Sequence, residues 1–432
     1  MNRPAIHHDT KAWKAQVWIS FAAAAGQPSM TQRSAPLMSI DDRAQPPAAL
    51  PGWPLLRLGF RPFYLGTALL ACVSIPLWIA AFLGHMPLRL PFPILLWHAH
   101  EMLFGFAAGV VIGFLLTAVR AWTGLETPRG PVLGVLVLLW LAARLAAVLA
   151  PYPVFAVLDM LLLPVVAGFL LRVLIRARNR RNIPLISLLL AMALANAVFH
   201  LSVLELIAVP AMSALYAELA LILMVISIMT GRVVPMFTKN VTPGLVIQVS
   251  RRFELTLLAV TAVTLALWVL GAPAWLVLPA SVLSAVLHAL RLWKWHPRVT
   301  LRRPILWILH FSYAWMPVGF VLLALAQGGW VAPSLAVHAF GVGVIGGLII
   351  GMITRTARGH TGRPLQASRG EVLAYALVML ATVLRVLVPA VVPAWYARAL
   401  DSAAGLWALA FAIYLVIYVP WLTRTRLDGK DG

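Results

Sequence analysis

Between positions 63 and 422 the chain is a succession of twelve apolar runs, broken only by short stretches of proline, glycine and charge. A bilayer core about 30 Å thick takes about 20 residues of helix. Backbone polar groups inside hydrocarbon must be bonded within the segment, so runs of this length fold as transmembrane helices. They lie at 63–83, 94–119, 131–150, 154–175, 184–207, 211–229, 255–270, 273–293, 304–326, 331–353, 371–389 and 393–422. The expected fold class is therefore an all-α integral membrane protein of about twelve spans. With 62% hydrophobic and 11% charged residues, the chain has little left over for a water-soluble domain.

The net charge of +21 would suit a nucleic-acid binder, but its placement argues against one. Basic residues fall in alternate connections: Arg120 and Arg129; Arg172, Arg176, Arg178, Arg180 and Arg181; Arg232, Lys239, Arg251 and Arg252; Arg291, Lys294, Arg298, Arg302 and Arg303; Arg355, Arg358, Arg363 and Arg369. The other connections carry only Arg89. By the positive-inside rule the basic set is cytoplasmic, both termini are inside, and odd-numbered spans run outward. The expected organisation is a mobile cytoplasmic segment over 1–56, a twelve-helix membrane domain over 57–426 and a short cytoplasmic tail over 427–432. Lys11, Lys14 and the run from Val17 to Gly26 have a signal-peptide flavour, but the apolar core is short and cleavage would conflict with the charge pattern.

A shift of 238 positions, from 100 to 338, lays span 2 on span 10. His100 meets His338, Gly105 meets Gly343, Gly109 meets Gly347, Gly113 meets Gly351, Arg120 meets Arg358 and Gly124 meets Gly362. In the next hairpin Arg144 and Asp159 meet Arg385 and Asp401 after three or four more residues. Spans 1–4 and 9–12 thus read as parallel internal repeats. Glycines four apart make a stripe along which a neighbouring helix can pack closely. The two Arg–Asp combinations are expected to pair across adjacent spans, because either charge alone would be costly in the membrane.

The single cysteine, Cys72, rules out disulfides, CxxC pairs, cysteine-based zinc or iron–sulfur sites and covalently attached haem. Any metal must rest on histidine, methionine or carboxylate. His98 and His100 open span 2, while His200 and His338 lie in the outer parts of spans 5 and 10. Four imidazoles at one depth, from three helices, can converge on iron, copper or zinc. Asn196, one turn before His200, would orient its ring, and Glu101 would serve as ligand, proton carrier or cap. His360, with Arg358 and Arg363, forms a weaker candidate site for an anion such as a propionate or lipid phosphate.

The strings GFRPFY (Gly59 to Tyr64), WHAHEMLFGFAAG (Trp97 to Gly109), GFLLTAVRAWTG (Gly113 to Gly124), GRVVPMFTKN (Gly231 to Asn240) and GHTGRPL (Gly359 to Leu365) closely resemble the NnrS family of bacterial membrane proteins. That resemblance implies haem b and copper as cofactors, residence in the bacterial inner membrane and a role in nitric oxide response or nitrosative-stress protection. Nitric oxide or metal-nitrosyl species would be the ligands, with an electron donor that the sequence does not identify and no assigned reaction. The layout is also similar to haem-copper oxidases and nitric oxide reductases, which grip a haem between spans 2 and 10. By that analogy His100 and His338 would be the axial pair, with His98 and His200 on copper or a second metal. Spans 6 and 7 contain no histidine, unlike that superfamily. Two other classes suit the same features: a secondary transporter of a small solute, for which duplicated halves and intramembrane charges are usual, and a haem or metal assembly factor for denitrification enzymes.

Overall fold

The computed structural model describes residues 52–248 and 250–430, so the expectation for the N-terminal segment lies outside the described residues up to position 51. The described residues form an all-helical protein with no strand. Its twelve candidate membrane spans are α1 (Phe60–Phe82), α2 (Ile94–Thr123), α3 (Gly130–Leu149), α4 (Tyr152–Arg176), α5 (Arg180–Val203), α6 (Ala211–Asn240), α7 (Arg251–Val269), α8 (Ala274–Lys294), α9 (Pro304–Gln327), α10 (Pro333–His360), α11 (Arg369–Val391) and α12 (Pro393–Leu422). The number matches the sequence reading. The main difference in extent is α6, which runs on to Asn240 because Gly231 and Pro235 sit inside it without ending it.

Proline and glycine punctuate the helices for the usual reasons. Pro93, Pro151, Pro210 and Pro273 stand as N-caps of α2, α4, α6 and α8, where a missing N–H costs nothing. Gly124 closes α2 in the left-handed region (φ +69°), and Gly362 follows α10 in the same conformation (φ +74°). A side chain with a Cβ rarely adopts that conformation. These glycines are the pair matched by the 238-residue shift. A second backbone feature recurs at the same shift. Directly after His100 and His338 the helices widen into π turns, over Glu101–Ala107 in α2 and Ala339–Gly346 in α10. A π turn bonds i to i+5 and loosens the carbonyl ladder. In α2 the Gly105 carbonyl accepts a hydrogen bond from Trp140 Nε1 at 3.0 Å.

Helices α2 and α10 are the two most enclosed spans. The first is packed by α1, α3, α4 and α6, the second by α1, α6, α9, α11 and α12. Their glycine stripes make this possible. A Cβ on Gly113 would lie 2.8 Å from Phe63 Cβ of α1, and one on Gly351 would lie 2.9 Å from Ile308 Cγ2 of α9. Gly113→Ala and Gly351→Ala should each destabilise the protein by about 1–3 kcal/mol through overpacking. Gly168→Ala, where a Cβ meets nothing within 4 Å, is the control. Unfolding midpoints in detergent check this: equal midpoints for the three variants would mean that the stripes are not tight interfaces.

Candidate metal-binding sites in the histidine layer

Near the N-terminal ends of α2 and α10 lies a cavity of about 250 Å³ with a largely apolar wall drawn from α1, α2, α6, α10, α11 and α12. His98 and His338 both face it. Their rings are parallel within 9° and their centres are 6.3 Å apart. His98 lies flat on Trp78 of α1, at 3.9 Å between ring centres, which fixes its plane. Among the described residues neither nitrogen of His98 has a hydrogen-bond partner. His338 Nδ1 lies 2.7 Å from the Ser334 carbonyl oxygen one turn earlier. A carbonyl can only accept, so Nδ1 carries the proton and Nε2 keeps its lone pair. That is the tautomer a metal-binding imidazole needs, held by the kind of backbone bond that usually orients such ligands.

A second, polar group lies beside this cavity's α2 wall, on the side of α4 and α5. His100, Asp159 and His200 are all buried and present ligand atoms within 4.8 Å of one another, a group able to hold a metal ion. Nε2 of His100 and Nε2 of His200 each lie 3.2 Å from the same carboxylate oxygen, Asp159 Oδ2. Asn196 donates to that oxygen at 2.7 Å, and its own Oδ1 is 3.2 Å from His100 Nε2. Tyr152 Oη meets His200 Nδ1 at 3.0 Å. Arg144 forms an ion pair with Asp159 and donates to Glu101 Oε1 at 2.7 Å. Phe155 and Phe199, themselves fully buried, pack their rings against both imidazoles. Counting fixed charges, two carboxylates face one guanidinium. With both imidazoles neutral, one negative charge is left uncompensated in an apolar interior, where an added cation is favoured.

The structure therefore groups the four histidines differently from the sequence reading. His98, and not His100, stands opposite His338; His100, and not His98, joins His200. The expected grouping came from the analogy with haem-copper oxidases; in this chain π turns follow directly after His100 and His338 and change the phase of the helix there. Glu101 bonds His100 at 3.4 Å as well as Arg144. Asn196 orients His100 and Asp159, and reaches His200 only through that carboxylate. Asp159 is the residue that sequence reasoning underused. Its pairing with Arg144 was legible, whereas its role as the point where two histidines meet required the packing of α4 against α2 and α5.

The second expected pair, Arg385 with Asp401, does not form. Asp401 is exposed on α12 while Arg385 turns into the cavity. At the arginine-rich end Arg358 finds its partners within the protein. Arg358 holds Glu371 through Nε at 2.7 Å and Nη2 at 2.5 Å, and donates to the Pro364 carbonyl at 3.0 Å. Glu371 also accepts from Tyr418. Arg363 lies over the Trp421 ring at 4.2 Å, and His360 packs against Phe60 with ring centres 5.3 Å apart. These three residues, candidates for an anion site, are thus committed to packing α10 against its neighbours. A separate network ties α7, α8 and α9: His288 bonds Tyr313 Oη at 2.6 Å and Thr261 Oγ1 at 3.0 Å, and Arg291 pairs with Glu254.

Fold and sites together define a multi-pass membrane protein with a buried histidine–carboxylate group able to bind metal and a second histidine pair facing a cavity. More narrowly, the chain belongs to the NnrS family, whose description, NnrS protein, matches residues 54–426. No curated protein matches it.

Proposed function

We propose that the protein holds haem b in the cavity between His98 and His338, and copper at His100, His200 and Asp159, and acts in the response to nitric oxide. The observation that carries this reading is the parallel pair of imidazoles 6.3 Å apart on an apolar wall. His98 and His338 would be the residues that hold the haem, one from each side of the gap. The His338 tautomer fits, and the apolar lining suits a porphyrin face. Bound there, the haem would supply a redox-active iron able to carry electrons or to react with nitric oxide.

The chain's own residues do the rest. Trp78 holds His98 in plane, the Ser334 carbonyl holds the proton of His338, and the apolar wall excludes water from between the rings. At the second site a nitrogen, nitrogen, carboxylate-oxygen donor set suits copper, iron or zinc, and the resemblance favours copper. Tyr152 Oη would accept a hydrogen bond from Nδ1–H of His200 when Nε2 binds metal. Arg144 and Asn196 keep Asp159 aimed at both rings. The distribution of arginines supports an orientation with both termini cytoplasmic, in the inner membrane, which would set the histidine layer near the periplasmic side.

Anaerobic purification of the full chain tests the reading. A Soret band, a pyridine haemochrome of b type, copper by elemental analysis and a spectral change on adding nitric oxide are expected. A colourless, metal-free protein would overturn it and favour the transporter, and a haem protein indifferent to nitric oxide would favour the assembly factor. The two sites should also separate. His200→Ala should lower copper content by about tenfold or more, because it removes one of three donors, while haem content stays at the wild-type level. Equal loss of both would mean that the group does not act as an independent metal site.

A further inference from the structure

Arg385 of α11 is a charge without an explanation so far. It is 7% exposed, its Nη1 is buried with no hydrogen-bond partner, and it lines the same cavity as His98 and His338. No carboxylate among the described residues pairs with it. Its counterpart by the repeat, Arg144, has Asp159 and Glu101, while Arg291 has Glu254 and Arg358 has Glu371. Its neighbours on the cavity wall include Ala381, Leu400, Ala403 and Trp407. A guanidinium facing such a wall without a counter-ion is costly, and it lies at the end of α11 away from the basic loops, so it is no orientation signal. A planar fork of donors at the edge of a ligand-sized space fits a carboxylate or a small oxyanion.

We propose that Arg385 is the anion-recognition group of the cavity, and that the occupant presents a carboxylate or oxyanion to it while its other end lies between the two imidazoles. Two sources share this chemistry. One is a propionate of haem, which rests on the reading given under Proposed function; the other is a free inorganic oxyanion such as nitrite. Haem-free full-length protein in detergent, reconstituted with haem b or with haem b dimethyl ester, distinguishes them. Wild type should bind the free acid at least tenfold more tightly than the ester, and Arg385→Gln should bind both alike. Arg385→Lys should keep part of the preference, and Arg385→Met serves if the Gln variant does not elute as a single monodisperse species. His98→Ala should lose both porphyrins, which separates failure of the pocket from failure of Arg385.

Should wild type bind neither porphyrin, or both equally, nitrite-dependent thermal stabilisation decides. Stabilisation of wild type that disappears in Arg385→Gln supports an inorganic anion as the occupant's charge. A preference for the free acid that survives in Arg385→Gln, or the absence of any anion effect in wild type by either measurement, overturns the proposal.

Discussion

Replacing His98 or His338 by alanine should cut haem content by about tenfold or more, a loss of at least about 1.4 kcal/mol in binding, while the protein still inserts and runs as a single species. The expectation follows from position. Both rings face the cavity and neither is needed to close a hydrogen-bond network elsewhere: His98 has no polar partner, and His338 bonds only the Ser334 carbonyl. His100→Ala should leave the haem spectrum in place, since that ring is spent on Glu101, Asn196 and Asp159. The measurement is a pyridine haemochrome per mole of purified protein. Loss in His100→Ala with retention in His98→Ala would return the axial role to the pair given by the analogy with haem-copper oxidases, His100 with His338.

The largest effect on stability is expected at Arg144. Its guanidinium sits between Glu101 and Asp159, both almost fully buried. Arg144→Met would leave two carboxylates facing one another in the protein interior without a cation. Breaking a buried pair from one side costs about 3–5 kcal/mol, whereas replacing all partners by apolar or neutral groups of similar volume is often nearly neutral. The triple variant Arg144→Met, Glu101→Gln, Asp159→Asn should therefore be more stable than Arg144→Met alone, although it has lost more native interactions. Midpoints of thermal unfolding in detergent give the comparison. If the triple variant is the less stable, the cluster contributes through its hydrogen bonds, and uncompensated charge is not what makes the single variant fail.

What could be read from the sequence, and what could not, follows a physical line. Span number was legible because bilayer thickness fixes helix length, and twelve apolar runs became twelve helices. The layer of His98, His100, His200 and His338 was legible in depth for the same reason. Facing was not. A π turn shifts the phase of the helix around it, and apolar, glycine-rich sequence carries no sign of where one will form. Arg144 with Asp159 was correctly paired from depth and adjacency alone, and applying the same logic to Arg385 and Asp401 failed because Asp401 stands on an exposed face of α12. The cavity was invisible for a further reason. It is made by six helices, and no single segment contains enough of its wall to leave a pattern.

The widened turn in α2 also separates two tasks along one rod. On its far side Gly109 and Gly113 face Thr67 and Phe63 of α1, and on its near side His98 faces the cavity. A π turn spends about one residue more than an α-helix on the same rotation, so removing one residue from within Glu101–Ala107 would restore ordinary winding and leave the near end facing roughly where it does now. His98 would keep its side on the cavity and the seam of small residues would stay seated. The loosened turn is thus a place where this scaffold can take up or give back one residue without moving either task.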